Sequence, residues 1–248
     1  FVVKWRFDSL PYTFQSLFTP SMKIGAIIQA RMNSQRFPGK VLYEVAGEPM
    51  LQYLLQRLNH CYGLSAVIVA TSSEESDTPI VKYCMEQDVM FYRGSLNDVA
   101  SRFKEILEIN KFDGFIRISG DSPLLDQRLI ERGVDIFLNG DFDMVTNILV
   151  RSFPKGQSIE VLKSAVFLDS YNKFNNEDER EHVTRYFYKN SSSFAIYNIS
   201  SKINYSNIQL SVDTDQDMNI FKKIVSQMNK PHWHYTMDEI LHMHKKLL

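Results

Sequence analysis

An alternation constrains this chain most. From residue 24 to residue 139, short apolar runs rich in β-branched residues are each followed by a segment with helical spacing. Ile24–Gln29 (IGAIIQ), Ala66–Ala70 (AVIVA), Val89–Tyr92 and Phe115–Ile118 have the length and composition of buried strands. After the first of them, Met50, Leu51, Leu54, Leu55 and Leu58 fall on one helix face, with Pro49 at the favoured first position. Ile80, Val81, Cys84 and Met85 form a second stripe after Asp77-Thr78-Pro79. Val99, Phe103, Ile106 and Leu107 form a third behind a cap at Asn97, and Ile130, Val134, Phe137 and Leu138 a fourth behind a cap at Asp126. Fully buried strands joined by helices predict an α/β fold with a mainly parallel sheet covered on both faces. Right-handed crossovers gather the carboxyl ends of such strands along one edge, where open α/β sheets bind ligands.

Beyond residue 143 the rhythm loosens. Asp143–Asn147, Gln157–Leu162 (at an edge), Phe194–Ile199 and Ile208–Val212 read as strands, and Ser164–Tyr171 and Asp178–Lys189 as helices. Thr214 caps a helix burying Met218, Phe221, Ile224, Val225 and Met228, and Thr236 with Glu239 makes a capping box for a last one. The chain of 248 residues suits one domain over 22–248, its less regular part at about 143–205 serving substrate binding or oligomerisation. Residues 1–21, aromatic-rich and interrupted by Pro11 and Pro20, read as an extension preceding a natural start at Met22.

A net charge of −1 gives no basic strip for nucleic acid. No apolar run approaches the roughly 20 residues of a membrane span. Cys61 and Cys84 sit in apolar helical patterns and read as reduced core residues. These bounds favour a cytoplasmic protein.

Chemistry concentrates after the first strand. Arg31, Arg36 and Lys40 lie within ten residues of one another, with Pro38-Gly39 as a turn signal. Three cations at a strand's carboxyl end can cradle a polyphosphate; the plain alternative is a solvated loop. The loop is no Walker A motif: Ser34 stands at the first glycine and Val41 follows Lys40. Gly120-Asp121 follows another strand, so Asp121 lies on the same rim, and Gly120 lets backbone approach a ligand. A carboxylate there either holds Mg²⁺ beside a polyphosphate or caps the turn before Pro123. Asp213, at the end of Ile208–Val212, could share that metal, whereas Asp215 and Asp217 read as first-turn acids of a helix. The run Glu179–Thr184 (EREHVT) reads by composition as a solvated charged turn. His232, His234, His242 and His244 have x-1 spacing, which does not put ligands on one helix face, and read as surface histidines.

Together these residues resemble a known family. IIQARMNSQRFPGKVL followed by Gly47-Glu48-Pro49-Met50 looks like the opening signature of the cytidylyltransferases that activate acidic sugars, the CMP-N-acylneuraminate and CMP-3-deoxy-manno-octulosonate synthetases. The match is closer to the spore coat polysaccharide biosynthesis protein F group. It continues through Asp98-Val99 with Ser101-Arg102, RISGDSPLLD from Arg117 to Asp126, EREHVT, and SVDTDQD from Ser211 to Asp217, covering roughly Met22 to Met228. The resemblance implies a three-layer Rossmann-like nucleotide-diphospho-sugar transferase fold and nucleotidyl transfer from a triphosphate, CTP by family, to a sugar with release of pyrophosphate. It implies that Arg31, Arg36 and Lys40 hold the triphosphate, with Gln29, Ala30, Arg117 and Gly120 around the nucleotide. Asp121 and Asp213 would hold Mg²⁺, and Glu160, Arg180, Glu181 and His182 would line the sugar side. Arg31, Lys40, Asp121 and His182 would carry the catalysis, and the resemblance admits a homodimer. One departure is Ser158, which stands where the related group often has an acidic residue two before the glutamate. Two rival functions are a glycosyltransferase using Asp141-Phe142-Asp143 as a D-x-D metal site, and a non-catalytic nucleotide-sugar-binding protein.

Overall fold

The computed structural model describes residues 22–247, so the expected extension at 1–21 lies outside the described residues. In chain order the elements are β1 (Ile24–Gln29), a two-residue hairpin β2 (Glu44–Val45) and β3 (Glu48–Pro49), α1 (Met50–Asn59), β4 (Ala66–Ser72), α2 (Thr78–Glu86), β5 (Met90–Gly94), α3 (Val99–Asn110), β6 (Gly114–Ser119), α4 (Gln127–Asn139) and β7 (Met144–Thr146). Then come β8 (Glu160–Lys163), α5 (Ser164–Tyr171), α6 (Glu177–Glu181), α7 (Arg185–Lys189), β9 (Ile196–Asn198), α8 (Asp215–Val225) and α9 (Met237–Lys245).

Seven strands form one sheet in the order β5-β4-β1-β6-β8-β7-β9. All run parallel except β8, which is antiparallel to both neighbours. Alternate residues of β1 feed opposite faces: Ile24, Ala26 and Ile28 join α1, α4, α8 and α9, whereas Ile27 joins α3 and α5. The result is three layers, helix–sheet–helix, with a core on each side of the sheet. Because β8 runs backwards, its first residue, Glu160, emerges on the edge where the parallel strands end. Ile116 pairs with Val161, and continuing that register sets Arg117 across from Glu160.

Several sequence expectations need correction. The cap of α3 is Asp98, whose side chain accepts from Ser101 N, because the helix begins at Val99, one residue later than a cap at Asn97 requires. Pro49 is the cap of α1 and pairs in the hairpin instead of opening the helix. Met85 and Leu138 face outward, each about 100° beyond the buried stripe of its helix. Val225, Met228 and Cys61 are only partly buried. The Gln157–Leu162 strand is the shorter β8 and lies inside the sheet between β6 and β7, not at an edge. Ile208–Val212 is no ladder strand: its bonds run to Lys155 and to Asp121 O, with one isolated bridge at Gln209. The helix expected over Asp178–Lys189 breaks at His182–Thr184, because Val183, at φ 32°, turns fully into the core while Thr184 Oγ1 donates to Glu160. His232 and His244 are buried, not surface, residues. Among the described residues no helix is long and apolar enough to cross a membrane.

Candidate active site

The carboxyl edge of β1 and β6 is assembled by one close approach. Gly120 N donates to Gln29 O at 2.9 Å, and a Cβ at Gly120 would stand 3.0 Å from that oxygen and 3.2 Å from Ala30 Cβ. Glycine lets the exit of β6 lie against the exit of β1, which delivers Asp121 to the cationic loop. That loop folds on itself through Ser34 N and Gly39 N, both donating to Met32 O. Gly39 takes φ 75°, a left-handed turn that starts a single 3₁₀ turn at Lys40. The loop is anchored from below by Asp77, 1% exposed, which accepts from Met32 N at 2.7 Å and from the amide and hydroxyl of Ser72.

Lys40 is the centre of the site. It is 7% exposed, and its ammonium donates to Val212 O at 2.7 Å, Asp121 Oδ2 at 3.2 Å and Asp213 Oδ1 at 3.3 Å. The two acids predicted to share a metal therefore do converge, on one cation. Val212 N donates to Asp121 O at 2.8 Å, tying the segment before Asp213 to the turn after β6. Arg36 lies outside this cluster, 2.9 Å from Asp213 Oδ1. Arg31 reaches Glu181 Oε1 at 3.4 Å, with both side chains well exposed.

Arg117 joins the nucleotide side to the acceptor side. Its Nε donates to Gln29 Oε1 at 3.0 Å and its Nη1 to Glu160 Oε2 at 2.7 Å. Burial pulls its pKa down, but the Glu160 charge and hydrogen bond outweigh that and hold it above the ordinary arginine value. Glu160 also accepts from Thr184 Oγ1 at 2.6 Å and Tyr188 Oη at 2.9 Å. Burial first, and the Glu160 charge second, push the Tyr188 phenol well above its usual range, so it remains a donor.

The sugar-side residues do not all meet. Arg180 is held by Asp98 Oδ2 at 2.8 Å, Tyr171 Oη and Phe174 O, which fixes α6 against α3. His182 is exposed, its Nε2 3.7 Å from Asp178 Oδ1, while Glu181 before it touches Arg31 and Thr184 after it touches Glu160. The EREHVT run is thus only partly a solvated turn, with Glu179, Val183 and Thr184 buried. Asp141 and Asp143 sit before β7, at the opposite edge of the sheet, where Asp141 pairs with Lys163 and Asp143 accepts from Ala195 N. This placement takes the D-x-D motif away from the cluster.

Beside Asp121 a cleft of about 240 Å³ opens, with Glu160 on its wall. Arg151, Lys155 and Ser158 also line it, and the sequence reading missed the first two. A signal existed: Phe153-Pro154-Lys155-Gly156 has the same residue types as Phe37-Pro38-Gly39-Lys40. Gly156, at φ 89°, is indispensable there, since a Cβ would stand 2.4 Å from Ser211 N.

Asp121 and Asp213 suit a divalent cation. An ammonium already bridges them, and Mg²⁺ takes one or two protein carboxylates and completes its shell with phosphate oxygens and water. Among the described residues there is no group of three His, Cys, Asp or Glu side chains that could hold a metal ion by itself.

A three-layer sheet with a basic loop, two convergent acids and an adjoining cleft at its carboxyl edge defines a protein that handles phosphorylated nucleotides. The family model described as Cytidylyltransferase matches residues 25–241, and the chain belongs to that family. It is 33% identical over 207 residues to an uncharacterized protein of Methanocaldococcus jannaschii, covering 82% of this chain and 83% of that one. It is 28% identical to the spore coat polysaccharide biosynthesis protein SpsF of Bacillus subtilis, over 80% of this chain and 84% of that one. Among solved structures, a cytidylyltransferase from Leptospira borgpetersenii superposes with a TM-score of 0.85 at 28% identity, covering 91% of this chain and 95% of that one. The chain is an enzyme of the nucleotidyltransferase class, as its opening motifs implied.

Proposed function

We propose that the enzyme transfers the cytidylyl group of CTP to a sugar destined for a polysaccharide or glycan, in the cytoplasm, with Mg²⁺ as cofactor. The observation that carries the reading is the convergence of Lys40, Asp121 and Asp213 at a cleft that Asp121 lines on one side and Glu160 on another. An oxygen of the sugar attacks the α-phosphorus in line; the bond to the oxygen bridging α and β breaks, and pyrophosphate leaves with the electron pair.

This chemistry asks for positioning and charge stabilisation more than covalent help. Lys40, Arg36 and Arg31 bind the triphosphate and neutralise charge growing on the leaving pyrophosphate. Gln29, Ala30 and Gly120 form the rim on which the nucleotide rests, and Arg117 bridges it to the acceptor side through Gln29 and Glu160. Asp121 and Asp213 would hold Mg²⁺, which, when bound, polarises the α-phosphate. Glu160 orients the acceptor, and Glu181 keeps Arg31 at the rim. His182 takes the proton of a hydroxyl nucleophile, whereas an ionised sugar phosphate oxygen has none to give. Arg180, engaged by Asp98, positions α6 instead of contacting the sugar. Pairing of two copies through residues 143–205 belongs to the same reading.

The test is pyrophosphate release with Mg²⁺, each of four nucleoside triphosphates, and a panel of acidic sugars and sugar 1-phosphates. Release with CTP and one acceptor is the expected result. Release of a nucleoside diphosphate from a nucleotide sugar, with no pyrophosphate from any pair, would overturn it in favour of glycosyl transfer.

A further inference from the structure

The motif Asp98-Val99 with Ser101-Arg102 opens α3 and lines neither the lysine cluster nor the cleft. Its two charged side chains serve the two halves of the site. Arg102, 2% exposed, donates through Nη1 to Ala70 O at 3.0 Å. The same oxygen accepts from Ala30 N at 3.2 Å, so α3 is fixed to the root of the cationic loop. Asp98 divides its carboxylate. Oδ1 accepts from Ser101 N at 2.8 Å and caps α3, while Oδ2 accepts from Arg180 Nη1 and Tyr171 Oη, both at 2.8 Å.

Arg180 is held from several sides. Its guanidinium lies over the Tyr171 ring, 5.1 Å from the centroid, and its Nη2 donates to Phe174 O at 3.1 Å. A planar fork engaged on its face and on both arms has little freedom to turn.

Adjacent residues of α6 pair with the nucleotide half: Arg180 with Asp98, and Glu181 with Arg31. Among the described residues no other ion pair joins the two. The remaining charges of α6 stay in their own half, Asp178 with His182, Arg185 and Lys189, and Glu179 with Lys189. The two pairs differ in fate. Arg31–Glu181 is a 3.4 Å contact between exposed side chains, and such pairs are weak. A triphosphate carries more charge than Glu181 and takes Arg31 from it. Asp98–Arg180 has no member among the triphosphate-binding residues and outlasts nucleotide binding. It is then the charged tie that sets His182, two residues after Arg180, against the nucleotide rim. A displacement of about 1 Å at a reacting group can cost roughly 10²-fold in rate.

We propose that Asp98 is a positioning residue: acting through Arg180, it keeps Glu181 and His182 in place at the nucleotide rim once the triphosphate has drawn Arg31 away. The inference rests on the nucleotidyl-transfer reading above.

Hydrogen exchange of the full chain, with and without CTP and Mg²⁺ and with no acceptor sugar, tests it. The reporters are the amides of Arg180 and His182, which donate to Asn176 O and Asp178 O. In the wild type their exchange is expected to change little when CTP binds. Asp98→Asn keeps the cap, because asparagine caps a helix as well as aspartate, but removes the charge facing Arg180. In this variant CTP should speed exchange at both reporters about tenfold or more, the loss expected for charge-assisted hydrogen bonds, with the amides of α3 unchanged. Arg180→Gln should do the same with the cap untouched, and keeps the test decisive if Asp98→Asn fails to melt cooperatively. Arg180→Lys should restore part of the protection. A role in capping alone would loosen α3 and would not depend on CTP. Wild-type protection in both variants with CTP bound, loosening that is equal with and without CTP, or loosening of the wild type by CTP overturns the proposal. Titration with CTP separates the two readings. A wild type that does not bind CTP defeats nucleotidyl transfer itself, and one that binds CTP while the variants exchange like it defeats only the role of Asp98.

Discussion

Lys40 Nζ stands 3.2 Å from Asp121 Oδ2, and the same ammonium is 3.3 Å from Asp213 Oδ1. A lysine with 7% exposure therefore occupies the space between the two acids that suit a divalent cation. A cation entering alone has to displace hydrogen bonds to charged groups, each worth about 1.5–3 kcal/mol. A cation arriving with a triphosphate does not, because the phosphates offer Lys40 a new partner. Mn²⁺ binding followed by electron paramagnetic resonance should thus be weak in the wild type without CTP and strong with it. Lys40→Met should raise the affinity for Mn²⁺ alone about tenfold or more while losing the gain from CTP. A wild type that binds Mn²⁺ equally well in both conditions would contradict this account.

Asp121→Asn keeps the shape of the turn and the bond from Val212 N to Asp121 O, and removes only the charge. Loss of one preorganised electrostatic contact in a transition state costs about 10²-fold or more in rate. Pyrophosphate release should fall by that factor at saturating CTP, with a cooperative melt still present. Asp213→Asn should behave similarly and also free Arg36, its 2.9 Å partner. Near-normal turnover in Asp121→Asn would remove this residue from the chemistry.

The sequence displayed what local chemistry specifies. The β-branched runs, the stripe of α1, that of α4 except Leu138, and the caps at Asp126, Thr214 and Thr236 need only neighbours a few residues away, and the structure contains them. Part of the cluster was legible for a related reason: Asp121 follows β6 and Lys40 lies in the loop after β1, strands that end on the same edge, whereas the run before Asp213 is held by Lys155 and Asp121 outside the sheet. What escaped depends on long-range partners. Whether β8 lies at an edge is decided by β6 and β7, which flank it. The helix break at Val183 is decided by the core and by Glu160, 23 residues earlier in the chain, through Thr184. Arg151 looked like any loop arginine, since its place on the cleft wall beside Ser158 is set only by the folded chain.

Asp77 holds the cationic loop to the end of β4. Its carboxylate, 1% exposed, accepts from Met32 N, Ser72 N and Ser72 Oγ. Truncation leaves those donors without a charged partner, at about 2–4 kcal/mol of stability when hydrogen bonds to a buried charge are lost. Asp77→Ala should therefore lower the urea midpoint and weaken CTP binding together, although Asp77 belongs to no nucleotide-contacting set. The check is denaturation and CTP titration on the same preparation. A stability loss with unchanged CTP affinity would show that the loop keeps its shape without this anchor.

His232 gives the fold a pH dependence that is independent of catalysis. Burial, reinforced by the charges of Arg57 and His60, lowers its pKa from 6.5 to about 3. The ring is therefore neutral in the folded protein, with Nε2 donating to Gln56 Oε1 at 2.6 Å. The unfolded chain takes up a proton near pH 6.5 that the folded chain refuses until about pH 3. Stability from this group is fully present above pH 6.5 and is lost as the pH falls through that window. The slope is at most about 1.4 kcal/mol per pH unit for one proton. Urea unfolding at pH 7.5 and at more acidic values should show the decline, and His232→Gln should flatten it. A decline of equal slope in the variant would assign the effect to groups other than His232.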